Sequence, residues 1–307
     1  MKDTILYGDC RETLKQFDEK ARMCVTSPPY YGLRDYGGEQ SQIGQEQTPE
    51  EFIDELVKVF REVRNVLTDD GTCWVNLGDS YYNYRPGKGQ ALPKQTVSKT
   101  KQDLPDKCAK RGNKLEGLKE KDLIGIPWML AFALRADGWY LRQDIIWHKP
   151  NPMPESVKDR CTKSHEYIFL LSKNRKYYYN NEAIKEPVKQ DWGTRDRTNG
   201  KYHNEGTGLQ PHSGLTKSYT KKNKRSVWSV TKKPYKGAHF ATFPPELIEP
   251  CIKAGSEVGD IILDPFMGSG TTAMVAKMLD RYYIGCELHE DYGNLIQERV
   301  PINVSYL

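Results

Sequence analysis

The alternation of apolar and polar positions divides the chain into short apolar runs separated by helical repeats. Thr4-Ile5-Leu6-Tyr7 and the run Ala21, Met23, Cys24 and Val25 read as buried strands, with Leu14 and Phe17 on a short helix between them. Thr48 caps a helix that has Pro49 in its first turn. Phe52, Leu56, Val59, Phe60, Val63 and Leu67 then recur on one face. Asp70-Gly71 predicts a turn before a buried strand, Cys73-Trp74-Val75-Asn76-Leu77. Leu123 to Ala136 has the period of an amphipathic helix closed by Asp137-Gly138. Trp139 to His148 and His165 to Leu171 read as strands with no helical pattern between them, hence an antiparallel hairpin with a long loop. A helix starting at Pro244-Pro245 follows. Then come the strand Ile261-Ile262-Leu263, a helix from Ala273 to Leu279, the strand Tyr282 to Glu287 and a last helix from Asp291 to about Arg299.

Two strand ends carry candidate chemistry. The first is Thr26-Ser27-Pro28-Pro29-Tyr30. Consecutive prolines lack backbone N–H groups and cannot continue a sheet ladder, so the strand hands over a rigid extended loop. The loop presents the Ser27 hydroxyl, the Pro28 and Pro29 carbonyls and the Tyr30 ring. Such a set suits a flat heterocycle bearing an amino group, with acceptors for the amino hydrogens and a ring to stack on. The plainer alternative is a proline-rich turn with a packed tyrosine. The second is Asp264-Pro265-Phe266-Met267-Gly268-Ser269-Gly270-Thr271-Thr272, a Gly-rich turn between a strand and a helix, where backbone amides gather. Its spacing is neither a dinucleotide fingerprint nor a Walker A loop, because no Gly-Lys-Ser/Thr follows. Glu287, at the tip of the next strand, is placed to hydrogen-bond ribose hydroxyls. A nucleoside ligand with a small anionic end fits both features.

Ser-Pro-Pro-Tyr followed, much later, by Asp-Pro-Phe-Met-Gly-Ser-Gly-Thr resembles the beta group of the S-adenosylmethionine-dependent DNA amino-methyltransferases. The resemblance covers roughly residues 4–84, 122–180 and 238–300. It implies an α/β fold: a doubly wound, mostly parallel, Rossmann-like methyltransferase sheet ending in an antiparallel hairpin. The motif order is circularly permuted, so the C-terminal strands should lie beside Thr4–Tyr7. It also implies a catalytic half over 1–180, with a basic insertion at 85–121, a target-recognition region over 181–237 and a cofactor half over 238–307. S-Adenosyl-L-methionine would be held by Asp9, Cys10, Phe240, Thr242, Asp264, Pro265, Phe266, Gly268, Ser269, Gly270, Thr271 and Glu287. For Asp9 a helix N-cap is the alternative. Lys149-Pro150-Asn151 resembles the family's loop near the target base.

Charge bears on the partner. The net charge is +5, but residues 185–236 hold thirteen Lys/Arg against four acids, interleaved with Gly, Asn, Ser, Tyr, Trp192 and Trp228. That composition suits a nucleic-acid surface. Arg195 and Arg197 are candidates for base reading, and Lys221, Lys222, Lys224 and Arg225 for phosphate contacts. Residues 85–121 hold eleven Lys/Arg against four acids and too few apolar groups for a core of their own. A solvated loop and a DNA-backbone clamp are the two readings. Tyr31 to Gln47, Gly- and Gln-rich, reads as a loop that closes on substrate. The seven cysteines are scattered without a Cys-x-x-Cys pair, which argues against a zinc site or disulfide framework and for a reducing cytoplasm. No metal is expected. No apolar run approaches the roughly 18 residues of a membrane span, and no signal peptide is visible.

The expected reaction is methylation of the exocyclic amine of a flipped base in double-stranded DNA, with Ser27, Pro28, Pro29 and Tyr30 as the catalytic loop. Family members with Ser before Pro-Pro mostly methylate cytosine N4 and those with Asp or Asn adenine N6, so Ser27 points to cytosine. No Pro-Cys motif offers a nucleophile for C5 methylation. A bacterial, archaeal or phage modification enzyme, a cognate restriction endonuclease as partner and a homodimer are consistent expectations. The rivals are an RNA methyltransferase, a catalytically silent DNA-binding protein and a P-loop hydrolase. The missing lysine after Gly270 speaks against the last.

Overall fold

A computed structural model describes residues 1–32, 42–82, 115–188, 220–232 and 243–300. Its strands are β1 (Thr4–Tyr7), β2 (Ala21–Thr26), β3 (Leu67–Leu77), β4 (Tyr140–His148), β5 (His165–Ser172), β6 (Glu186–Pro187), β7 (Lys221–Lys222), β8 (Val227–Ser229), β9 (Ile261–Asp264) and β10 (Tyr282–Glu287). Eight of them form a central sheet in the order β1, β10, β9, β2, β3, β5, β4, β8. β6 and β7 pair separately as an antiparallel ladder. The helices are α1 (Cys10–Thr13), α2 (Pro49–Val66), α3 (Ile126–Ala136), α4 (Pro245–Gly255), α5 (Thr271–Met278) and α6 (Tyr292–Arg299).

Every neighbour pair from β1 to β3 is parallel, and β5 alone runs against its neighbours. The permuted order holds: β1 pairs with β10, Thr4 opposite Ile284 and Tyr7 opposite Glu287. Side-chain alternation on the strands builds two cores, one per face. Cys24, Cys73, Val75 and Leu77 pack with α1, α2 and α3, whereas Met23, Val25 and Trp74 pack with α4, α5 and α6. The α2 stripe behaves as its period predicts: Phe52, Leu56, Val59, Phe60 and Val63 are fully buried. Its N-terminus is a capping box in which Thr48 Oγ1 accepts from the Glu51 amide and Glu51 accepts from the Thr48 amide.

Three local expectations differ from the structure. Asp70-Gly71 is not a turn before a strand. β3 runs through it as an irregularity, with Ala21 opposite Leu67 but Met23 opposite Thr72. Such extra residues bulge out while the ladder resumes on either side. The helix expected from Leu123 starts at Ile126, because Leu123 bridges to Tyr81 and left-handed Gly125 (φ 87°) occupies the N-cap. Nor is the hairpin the end of the sheet. β8 adds to β4 in parallel and buries Trp228, whose indole N–H donates to the Arg225 carbonyl at 2.6 Å. Part of the stretch read as a separate recognition region thus completes the main sheet. Most of the basic insertion and most of residues 181–237 lie outside the described residues, as does the centre of the Tyr31–Gln47 loop.

Candidate active site

The carboxyl ends of β1, β2, β3, β9 and β10 open on a cleft of about 310 Å³. This is where ligands bind in open parallel sheets. Ser27, Pro28, Pro29 and Tyr30 leave β2 along one wall, and Asp264, Pro265, Phe266, Gly268, Ser269 and Thr271 leave β9 along the other. Asp9, Cys10 and Glu287 close the end near β1 and β10. The two motifs, more than 230 residues apart, are therefore faces of one cavity. Gly270 does not line it, and Phe240, Thr242, Arg195 and Arg197 lie outside the described residues.

Hydrogen bonds lock the β9 turn in place. Asp264, almost fully buried, accepts at Oδ1 from Thr26 Oγ1 at 2.6 Å and from the Phe266 amide at 3.0 Å. Its Oδ2 accepts from Thr272 Oγ1 at 2.6 Å. Burial pushes its carboxyl up to about 6, against the pull of these three donors. Asp264 thereby ties the ends of β2 and β9 together. Glu287 does the same for the next crossover, accepting from the Gly268 amide at 2.7 Å and the His289 amide at 3.1 Å, and burial raises its pKa as well. Gly270 is left-handed (φ 77°), and an added Cβ would lie 2.9 Å from Ile296 Cγ2 of α6. Arg299 donates to the Ser269 carbonyl at 2.9 Å and also to its hydroxyl.

Asp9 adopts the capping alternative. It caps α1 through the Arg11 amide at 2.9 Å and forks the Arg11 guanidinium, which also reaches Glu55. Burial works against its charge, but these bonds outweigh it and hold the carboxyl below its ordinary value.

The opposite end of the cleft holds a network that the sequence reading missed. Tyr30 Oη donates to Glu166 Oε2 at 2.8 Å, and Lys149 forms an ion pair with Glu166 Oε1. Asn76 Nδ2 donates to the Tyr167 carbonyl at 3.0 Å and reaches Glu166 at 3.4 Å. Lys149 also stands 4.3 Å from the centre of the Trp147 ring. Both ion-pair side chains are nearly buried, at 11% and 13% exposure. Burial lowers the Lys149 pKa, partly offset by Glu166, while burial and the Glu166 charge push the Tyr30 phenol well up. Lys149, expected to contact DNA, is thus a wall residue of the cleft. Asn76 and Glu166 were legible only as polar residues inside otherwise apolar strands. Lys221 and Lys222 lie in β7, away from the cleft. Lys224 pairs with Glu186 at 3.3 Å beside the Trp228 ring, and Arg225 caps Trp228 through its carbonyl.

An open, permuted α/β sheet with a proline loop and a Gly-rich turn sharing one cleft defines a nucleoside-binding transferase architecture. The family profile of DNA methylases acting at N6 or N4 matches residues 21–298, and the chain belongs to that family. Type II methyltransferase M.SmaI of Serratia marcescens is 47% identical over 302 residues, spanning 96% of this chain and 90% of that protein. M.Cfr9I of Citrobacter freundii is 47% identical over 298 residues, spanning 97% and 87%. Among solved structures, the cytosine-N4-specific PvuII DNA methyltransferase superposes with a TM-score of 0.63 at 18% identity, covering 99% of this chain and 88% of that one, a likeness of fold. TTHA0409, a DNA modification methylase of Thermus thermophilus solved in complex with S-adenosyl-L-methionine, superposes with a TM-score of 0.57 at 25% identity, covering 95% and 90%. No helix among the described residues is long and apolar enough to cross a membrane.

Proposed function

We propose that the protein methylates the exocyclic amine of a base flipped out of duplex DNA, cytosine N4 in preference to adenine N6, as the modification enzyme of a Type II restriction-modification pair. The reading rests on one observation: the Ser27–Tyr30 loop and the Asp264–Thr271 turn are opposite walls of one cleft whose two ends differ in charge. Asp9, Asp264 and Glu287 gather at one end, and Lys149 and Lys232 stand at the other. An acidic, lysine-free glycine turn suits a cationic nucleoside and not a polyphosphate. S-Adenosyl-L-methionine, which supplies an electrophilic methyl group on a cationic sulfur, fits that end. Glu287, Asp264 and the amides of the turn would hold it.

The chain's own groups then do the positioning. A base extruded from the stack keeps its planar face and its amino hydrogens available. The Ser27 hydroxyl and the Pro28 carbonyl accept those hydrogens and turn the nitrogen lone pair away from the ring. Tyr30 supplies a stacking face, and its hydrogen bond to Glu166 keeps that face from rotating. Holding the amine and the methyl group in line is the main contribution to rate, because no covalent intermediate is needed. Lys149, held by Glu166, walls the same end of the cleft, so bases compete for a site of fixed polarity.

Labelled S-adenosylmethionine and mixed-sequence duplex DNA, followed by nucleoside digestion and mass spectrometry, test the reading. N4-methylcytosine is the expected product, and Ser27→Ala should lower kcat by about tenfold or more without changing cofactor affinity. N6-methyladenine would overturn the inference from Ser27 while leaving the rest. Transfer to RNA but not to duplex DNA would overturn the choice of substrate.

A further inference from the structure

We propose that Lys232 is the anchor for a DNA phosphate next to the extruded nucleotide, held in place by Asn151. The inference rests on the methyltransferase reading and extends it to a residue outside both motifs.

Three observations carry it. Lys232 is exposed yet lines the cleft at the end occupied by Tyr30, Glu166 and Lys149. Its backbone is pinned: its amide donates to Asn151 Oδ1 at 3.1 Å, and Asn151 Nδ2 donates to its carbonyl at 3.0 Å. The residues leading to it are held as firmly. Trp147 Nε1 donates to the Val230 carbonyl at 2.9 Å, the Val230 amide donates to the His148 carbonyl at 3.1 Å, and the His148 ring meets Ser229 Oγ at 3.0 Å. A merely solvated surface lysine needs no such frame. Its ammonium also has no partner among the described residues, whereas Lys149 is neutralised by Glu166 and Lys163 donates to the Asp79 carbonyl at 3.1 Å.

Chemistry identifies the ligand. A nucleotide rotated about its backbone brings its base into the pocket and leaves its two phosphates at the mouth. An unpaired cation on a fixed backbone at that mouth is a phosphate site. The Lys232 charge adds to burial in lowering the Lys149 pKa, so an anion beside Lys232 would relieve a like-charge contact at the same time.

The test uses the full chain and a duplex bearing its mapped methylation site, with binding followed by fluorescence anisotropy across a salt series. Losing one phosphate contact lowers the slope of log K against log salt by about 0.9, which is about fivefold in affinity at roughly 0.15 M salt. Lys232→Gln should show that loss with cofactor affinity unchanged, and Lys232→Arg should keep the wild-type slope. A neutral methylphosphonate at one phosphate flanking the target should weaken the wild-type protein by the same factor and weaken Lys232→Gln no further. An unchanged slope, or methylphosphonate and Lys232→Gln effects that multiply at both flanking phosphates, would overturn the inference. Absence of methyl transfer by the wild-type protein at any base marks failure of the functional reading and removes the anchor with it.

Discussion

Glu166 is the hub of the cleft wall, so removing its charge is the sharpest test of how that wall is held. Glu166→Gln keeps an acceptor for the Tyr30 phenol but leaves the Lys149 ammonium, 11% exposed, without a counter-charge. Removing one partner of a buried ion pair costs roughly 3–5 kcal/mol. The Trp147 face, 4.3 Å away, is present before and after and does not change the difference. Contact with the cleft admits some water, which places the cost near the lower end, about 3 kcal/mol. Lys149→Met alone leaves Glu166 unpaired at a similar cost. The double variant removes both charges and should be more stable than either single one, with a coupling of about 2 kcal/mol or more. Urea denaturation midpoints of the four proteins at neutral pH measure this. The pH dependence supplies an independent check. The folded Lys149 pKa lies below its ordinary 10.5 because of burial, and loss of Glu166 lowers it further. Between the folded and unfolded values the unfolded chain binds the extra proton, so stability rises with pH across that window. The Glu166→Gln deficit should therefore shrink as the pH is raised from about 7 towards about 10. Additive single-variant losses, or a deficit that is constant over that range, would refute the reasoning.

Two further outcomes follow from the cofactor side of the cleft. The Asp264 carboxyl titrates near 6 in the folded protein against an ordinary 3.8, so the folded state binds its proton more readily between those values. Stability should fall as the pH rises from about 4 to about 6, by about 3 kcal/mol, and level off above, and Asp264→Asn should abolish that component of the denaturation profile. Gly270→Ala forces a left-handed alanine and a Cβ 2.9 Å from Ile296 Cγ2. It should lower stability by about 2 kcal/mol or more and weaken S-adenosylmethionine binding in calorimetry, whereas a wild-type melting curve would show that α6 yields freely.

How far the sequence reaches depends on the range over which each feature is decided. The α2 helix, its capping box, the strand ends at Thr26 and Asp264 and the final strand before Glu287 were legible because periodicity, caps and prolines act within a few residues. The permuted order was legible because the two short motifs identify the family and the family carries its topology. Local signals misled only where a distant partner outvoted them. The β3 irregularity at Asp70-Gly71 is held open by neighbouring strands, and the helix expected at Leu123 begins later because Tyr81 takes Leu123 into a bridge. The sheet beyond the hairpin was invisible because β8 is three residues in a basic stretch, made a strand by Trp228 and by pairing with β4.

The site divides in the same way. The sequence by itself determined which loops carry the chemistry, since Ser27-Pro28-Pro29-Tyr30 and the Gly268–Thr271 turn are contiguous and their composition limits what they can bind. Only the tertiary structure decided what those loops rest on. Tyr30 meets Glu166 across 136 residues and Thr26 meets Asp264 across 238. Lys149 looked like a free cation until the fold brought a carboxylate beside it, and Lys232 looked like one of thirteen until β8 and Asn151 placed it at the mouth of the cleft. Pairings of that kind are set by the packing of a whole sheet, and no window of residues contains the information to specify them.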